Sequence, residues 1–196
     1  MAAGLGSDLA LVVQPTPMHF CGRAACGWLG VQGRAVFFTS WVWSHGNEAR
    51  MKVYLAGPLF SHAERDWLSS IAARLRADAI ECFVPHEAFA GTEPGSATAV
   101  FADDLAGMRS CDLMLAWLDG AMVDDGTAAE IGIFSEWVRR GEKLAIIGCC
   151  TDLRQIRRRS LAEHAGLNLF VAGAIQSAGV LVWSIDDAIA AVKKFA

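Results

Sequence analysis

The sequence predicts an α/β domain in which a doubly wound, five-stranded parallel sheet carries helices on both faces. Three observations point there. From residue 51 onward, short apolar runs alternate with segments of helical period, the pattern of a parallel sheet covered on both sides. Right-handed crossovers between parallel strands then restrict the winding. The chain has 196 residues and is 54% hydrophobic, enough to bury one such domain.

The elements follow in order. Residues 53–56 form a short apolar strand that ends at Gly57-Pro58. Residues 63–76 have helical spacing, with Trp67, Leu68, Ile71 and Leu75 on one face. A second strand at 82–84 stops at Pro85, and 86–97 reads as a loop rich in Gly, Pro, Ser and Thr. A helix is expected at 100–109 and a buried strand at 113–118. The next helix spans 127–140 and is closed by Gly141. A fourth strand at 144–148, a short helix at 168–176, a fifth strand at 180–183 and a final helix at 186–195 complete the pattern. Residues 1–50 differ: they hold three tryptophans, many glycines and few acids, with one strand-like run at 37–43. They are expected to be either an extension upstream of a natural start at Met51 or an accessory N-terminal segment; a mature N-terminus at Met1 in the native protein, read by mass spectrometry, excludes the first.

Charge excludes several classes. The formal net charge is −4, with no basic stripe of the kind a polyanion-binding protein needs, so no nucleic-acid partner is expected. The one basic cluster, Arg154-Gln-Ile-Arg-Arg-Arg159, reads as a solvated helix face before it reads as a phosphate site. None of the six cysteines forms a CxxC pair or a zinc spacing. Cys82, Cys111, Cys149 and Cys150 sit in apolar surroundings, as small buried hydrophobes of a reducing compartment do. No secretory signal and no apolar run of membrane-spanning length is evident, so a cytoplasmic protein is expected.

A ligand site in such a sheet lies at the carboxyl ends of the strands, where the strand order reverses. With order 2-1-3-4-5, the first and third strands meet there. Their loops are Gly57-Pro-Leu-Phe-Ser61 and Asp119-Gly-Ala-Met-Val-Asp-Asp-Gly126. Asp119, Asp124, Asp125 and Glu130 fall on that edge and Asp104 near it, whereas Asp112 precedes the third strand at the opposite edge as a structural cap. Thr127-Ala-Ala-Glu130 has the form of a capping box, with Thr at the N-cap and Glu reaching back. The alternative is a carboxylate in the first helical turn facing the cleft, its pKa lowered by the helix dipole. Asp124 and Asp125 are equally suited to form a turn before Gly126. Tyr54, the only tyrosine, is a core candidate whose hydroxyl needs a partner such as a nearby carboxylate.

Four segments in this order carry a resemblance. Tyr54-Leu-Ala-Gly-Pro-Leu-Phe60, then Asp104, then Asp124-Asp-Gly-Thr-Ala-Ala-Glu-Ile-Gly132, then Leu167-Asn-Leu-Phe170 before a helix together resemble the nucleoside 2-deoxyribosyltransferases, over about residues 51–196. The resemblance implies a flavodoxin-like five-stranded parallel sheet and an enzyme that moves 2-deoxyribose between nucleobases through a covalent glycosyl-enzyme. Carried over by position, it makes Glu130 the nucleophile, Tyr54 the residue that orients it, and Asp104 and Asp124 the aspartates that contact base and sugar. Gly57 and Phe60 are expected in the substrate-binding turn. Asn168 matches an asparagine that reaches a neighbouring subunit's site and holds the sugar 5′-hydroxyl, which implies a homo-oligomer. One position departs: Phe89 stands where family members often carry an amide or acid that reads the base. His86 or Glu87 then takes over that role, or Phe89 stacks on the base.

The implied chemistry parallels retaining glycosidases: carboxylate attack at C1′, an oxocarbenium-like transition state, and a second base as acceptor. Asp104 is the candidate proton donor to the departing base. No metal or cofactor is implied. Two alternatives stay open: hydrolysis of 2′-deoxynucleoside 5′-monophosphates, and a non-enzymatic nucleotide-binding module on the same fold. The resemblance implies a serine-rich phosphate pocket in the related hydrolase branch; here Asn168 stands at the corresponding neighbour-subunit position and Ser61 is the only nearby serine, which favours substrates with a free 5′-hydroxyl.

Overall fold

Strand β1, Lys52–Ala56, lies inside the sheet because both of its faces are apolar: Val53 and Leu55 point into one core layer and Tyr54 and Ala56 into the other. The computed structural model describes residues 50–88, 95–158 and 166–196. The expectations for residues 1–49, for Arg159 and for Phe89 lie outside these.

Along the chain, β1 leads to α1 (His62–Ala77), β2 (Glu81–Phe83), α2 (Pro85–Ala88), α3 (Ala97–Arg109) and β3 (Leu113–Trp117). Helix α4 (Asp125–Arg139), β4 (Ile146–Cys149), α5 (Leu153–Arg158), α6 (Leu169–Ala178), β5 (Gly179–Val182) and α7 (Ile185–Lys193) complete it. All strand pairs are parallel and the order is β2-β1-β3-β4-β5, as expected. In register, Tyr54 lies between Phe83 of β2 and Met114 of β3.

The period-2 alternation of the strands divides the interior into two layers. Val53, Leu55, Leu113, Leu115 and Ile147 pack against α1 and α7. Tyr54, Ala56, Met114, Ala116 and Ile146 face α4 and α6, with Met108 of α3 in the same layer. The basic run begins as α5, and the four described cysteines are free, three of them buried. Among the described residues, no helix is long and apolar enough to cross a membrane.

Two stretches differ from expectation. The predicted loop at 86–97 contains the short helix α2, and α3 starts at Ala97, not residue 100. Ser96 caps it by accepting the Ala99 N–H at 3.2 Å, a start that the surrounding Gly, Ser and Thr residues disguise. Helix α4 starts at Asp125, two residues before the expected position. At its other end Gly141 closes the helix as expected, with φ of 75° and its N–H donated to Val138 O.

Candidate active site

The start of α4 decides the geometry. Asp124, not Thr127, is the N-cap: its carboxylate accepts the Thr127 N–H at 3.0 Å and the Thr127 hydroxyl at 3.1 Å. Thr127 is thereby buried and unavailable as a cap. The expected capping box does not form, and Glu130 falls in the second turn of α4 instead of the first. Its side chain is free to turn inward.

There it meets β1. The Tyr54 hydroxyl donates to Glu130 Oε1 at 2.6 Å, across 76 residues of sequence. Tyr54 is fully buried, and its ring is stacked on Phe83 with centroids 5.5 Å apart and planes 11° from parallel. The tyrosine is thus both a core residue and a partner of Glu130, so the two sequence readings are compatible.

The electrostatics reverse another expectation. A helix dipole was expected to lower the Glu130 pKa. Burial instead raises it to about 7, with the nearby charges of Asp104 and Asp124 adding to the rise and the Tyr54 hydrogen bond opposing it. The dipole effect fades beyond the first turn, where Glu130 no longer lies. Burial, then the Glu130 carboxylate, pushes the Tyr54 hydroxyl far up, so it stays a protonated donor. Asp104, on α3, is half-buried. Its carboxyl is raised by burial and by the charge of Asp103. Its Oδ1 is enclosed with no hydrogen-bond partner among the described residues. Tyr54, Asp104, Asp124 and Glu130 therefore form one electrostatic cluster from three separate elements.

The other predicted residues divide. Gly57 lies at the end of β1, where a Cβ would stand 3.3 Å from Leu68 and from Trp117; its small size serves this packing. Phe60 is 74% exposed in the turn that follows. Asn168 is exposed at the start of α6, where its Oδ1 accepts the Phe170 N–H at 2.9 Å. His86 and Glu87 are held by α1 on the other side of the sheet: Ser69 Oγ lies 3.0 Å from His86 Nε2, and Arg76 donates to Glu87 at 2.7 Å. Neither is gathered with the Tyr54–Glu130 pair.

Asp112 is a structural cap at the opposite edge, accepting the Lys52 N–H at 2.9 Å. Asp119 is also structural: it accepts from the Thr151 N–H and hydroxyl and from the Asp152 N–H, joining the ends of β3 and β4. Phe83, which backs Tyr54, was not singled out from the sequence. Its register opposite Tyr54 was the one available signal, and that needs the strand pairing.

The model of the family described as nucleoside 2-deoxyribosyltransferase matches residues 53–181. The chain belongs to this family. Tyr54, Gly57, Phe60, Phe89, Asp104, Asp124, Glu130 and Asn168 all lie in the matched stretch. Family membership makes this a deoxyribosyltransferase- or glycosidase-type enzyme, with nucleosides and nucleobases as its substrate class.

Comparison with curated protein sequences finds no match. Among solved structures, a conserved protein from Enterococcus faecalis V583 is 27% identical, with a TM-score of 0.63 over 76% of this chain and 100% of that one. A 2-deoxyribosyltransferase from the psychrotolerant bacterium Bacillus psychrosaccharolyticus is 23% identical, with a TM-score of 0.52 over 69% of this chain and 88% of its own. A 2-desoxiribosyltransferase from Leishmania mexicana is 20% identical, with a TM-score of 0.51 over 74% of this chain and 96% of its own. The last two establish a shared fold.

Proposed function

We propose that this member of the family transfers 2-deoxyribose between nucleobases, cleaving the N-glycosidic bond of 2′-deoxynucleosides through a covalent glycosyl–Glu130 intermediate. The observation that carries the reading is the 2.6 Å hydrogen bond from the only tyrosine to Glu130, beside the unpartnered carboxyl oxygen of Asp104.

In the forward half-reaction, an ionised Glu130 oxygen attacks C1′ while the bond from C1′ to the base nitrogen breaks. The Tyr54 hydroxyl occupies Oε1, which fixes the carboxylate and leaves the other oxygen for the sugar. Positive charge builds at C1′ and the ring oxygen, and the surrounding carboxylates oppose it. Asp104, whose carboxyl burial raises, is the group that gives a proton to the departing base. In the second half-reaction a new base nitrogen attacks C1′, the ester to Glu130 breaks, and the proton returns to Asp104. Asp124 bears on the same cluster from the N-cap of α4 and serves sugar or base contact through its remaining acceptor capacity. Phe60 offers an exposed ring in the turn after β1, and Gly57 keeps that turn packed against Leu68 and Trp117.

A homo-oligomer with shared sites is part of this proposal. Asn168, with exposed Leu169 and Phe170 beside it, presents an apolar surface with one amide at its edge. The hydrolytic reading on 5′-monophosphates finds less support: Ser61 is taken up as the N-cap of α1, accepting the Glu64 N–H at 3.2 Å. Incubating deoxyinosine with a free pyrimidine and separating the products tests the assignment. A new deoxynucleoside is expected. Free deoxyribose alone would mean hydrolysis, and neither product would defeat both enzymatic readings in favour of a binding module.

A further inference from the structure

Helix α3 is attached to the sheet by very little. Of its thirteen residues only Gly107 and Met108 are buried, and the rest are exposed or half-exposed. Gly107 is where it touches down. A Cβ at this position would lie 2.5 Å from Phe83 Cε1 and Cζ and 3.0 Å from Cδ1, closer than non-bonded carbons tolerate. The phenyl ring cannot simply retreat, because it is stacked on Tyr54, a fully buried residue of a central strand. One turn before Gly107 on the same side of α3 stands Asp104.

We propose that Gly107 and Phe83 form the seat on which α3 rests, and that this seat sets how closely Asp104 approaches the Tyr54–Glu130 pair. Both act as positioning residues. The inference rests on the proposed roles of Glu130 and Asp104, since a misplaced proton donor matters only if that carboxyl serves the reaction. Physically, the absence of a side chain at Gly107 lets the backbone of α3 descend onto the edge of the ring. Any added atom must be accommodated by the element with least to lose. That element is α3, held by two buried residues and by half-buried Leu105, because the Phe83 ring is backed by Tyr54 of β1, a strand paired with β2 and β3 on either side.

The groups that face Glu130 are Tyr54 from β1, Asp104 with Asp103 behind it from α3, and Asp124 at the start of α4; Cys111, ahead of β3, bears on Tyr54. Withdrawing α3 removes mainly the Asp104 charge from this set. The only tyrosine in the chain supplies a reporter. With tyrosine labelled at Cζ with carbon-13, the full-length protein gives one resonance, and its hydrogen bond makes that resonance follow the titration of Glu130 without any substrate. The wild-type midpoint is expected near 7. Gly107→Ala should lower it by about half a pH unit, the scale of one like-charged neighbour at partial exposure. Phe83→Leu empties the same contact and lets α3 settle closer, so it should move the midpoint upward. The double variant should return towards wild type. In an Asp104→Asn background neither substitution should move the midpoint, and with Asp104 in place the alkaline limb of kcat/KM should track these changes.

Shifts of the same sign in the two single variants, no shift in either, or shifts that persist in the Asp104→Asn background would each overturn the proposal. If Gly107→Ala does not fold, Phe83→Leu with and without Asp104→Asn decides alone. A wild-type protein that cleaves no deoxynucleoside would defeat the proposed function, while the resonance would still decide the seat.

Discussion

Replacing Glu130 with Gln should stabilise the protein at alkaline pH and abolish its chemistry. The carboxyl is raised from 4.5 to about 7, chiefly by burial. A raised acid binds its proton more tightly folded than unfolded. Stability from this group is therefore fully present below the unfolded value near 4.5 and is lost as pH rises through about 7. That interval corresponds to up to about 3 kcal/mol, lost by the wild type and not by the Gln variant. The amide oxygen of Gln can still accept the Tyr54 hydrogen bond, so the buried hydroxyl keeps a partner. Thermal melts from pH 5 to 8.5 read the difference. Melting temperatures should nearly coincide at pH 5, and the variant should be higher by about 5–10 °C at pH 8 for a domain of this size. A gap that stays constant with pH, or that favours the wild type at pH 8, would refute the burial argument.

Three other substitutions separate the roles. Tyr54→Phe removes the hydrogen bond that lowers the Glu130 pKa, so the alkaline limb of kcat/KM should move above 7 while kcat falls; an unchanged limb would detach Tyr54 from the titration. Asp104→Asn should cost about 10²–10⁴-fold in kcat on natural deoxynucleosides and much less on one whose base leaves without protonation, measured by chromatography. Asp124→Ala should destabilise by about 1 kcal/mol through loss of the α4 N-cap, seen in denaturant melts at constant m-value.

The sheet was legible because its signals are local and redundant. Each of the five strands is a short apolar run bounded by breakers or helical period, and right-handed crossovers limit that alternation to a doubly wound sheet; the order β2-β1-β3-β4-β5 came with the flavodoxin-like resemblance. Helix starts were less legible, since several residues in a row can cap. Both Asp124 and Thr127 suit an N-cap, and only the burial of Thr127 against the sheet decides between them. That one ambiguity displaced Glu130 by a turn and reversed the sign of its expected pKa. The resemblance singled out Glu130 and Asp104, but not that both would be raised: desolvation is created by elements remote in sequence. Phe83 and Gly107 escaped entirely, because a glycine inside a helix and a phenylalanine in a strand carry no local mark of their contact.

The raised carboxyls pose a problem that the substrate itself can solve. The proposed reaction needs Glu130 ionised and Asp104 protonated at the same moment. In the free protein below neutrality, Glu130 holds its proton, which is the wrong carboxyl for attack at C1′. Asp104 remains half-buried, with one oxygen enclosed and unpartnered. A base seated against it would remove the rest of its water and offer a ring nitrogen as acceptor. Both effects favour the protonated acid. An Asp104 that has gained its proton no longer repels charge on Glu130, so the same event lowers the Glu130 pKa. Binding would thus shift the proton from the nucleophile to the donor. The kinetic consequence is specific: the competent pair carries one proton, so kcat/KM, which reports the free protein, should fall as pH rises through about 7, whereas kcat reports the complex, in which the base holds that proton on Asp104, and should keep its plateau to higher pH. In Asp104→Asn that separation should vanish, because no second carboxyl remains to take the proton. Coincident alkaline limbs for kcat and kcat/KM in the wild type would mean that the substrate leaves the pair's protonation untouched, and the proton donor would have to be sought outside Asp104.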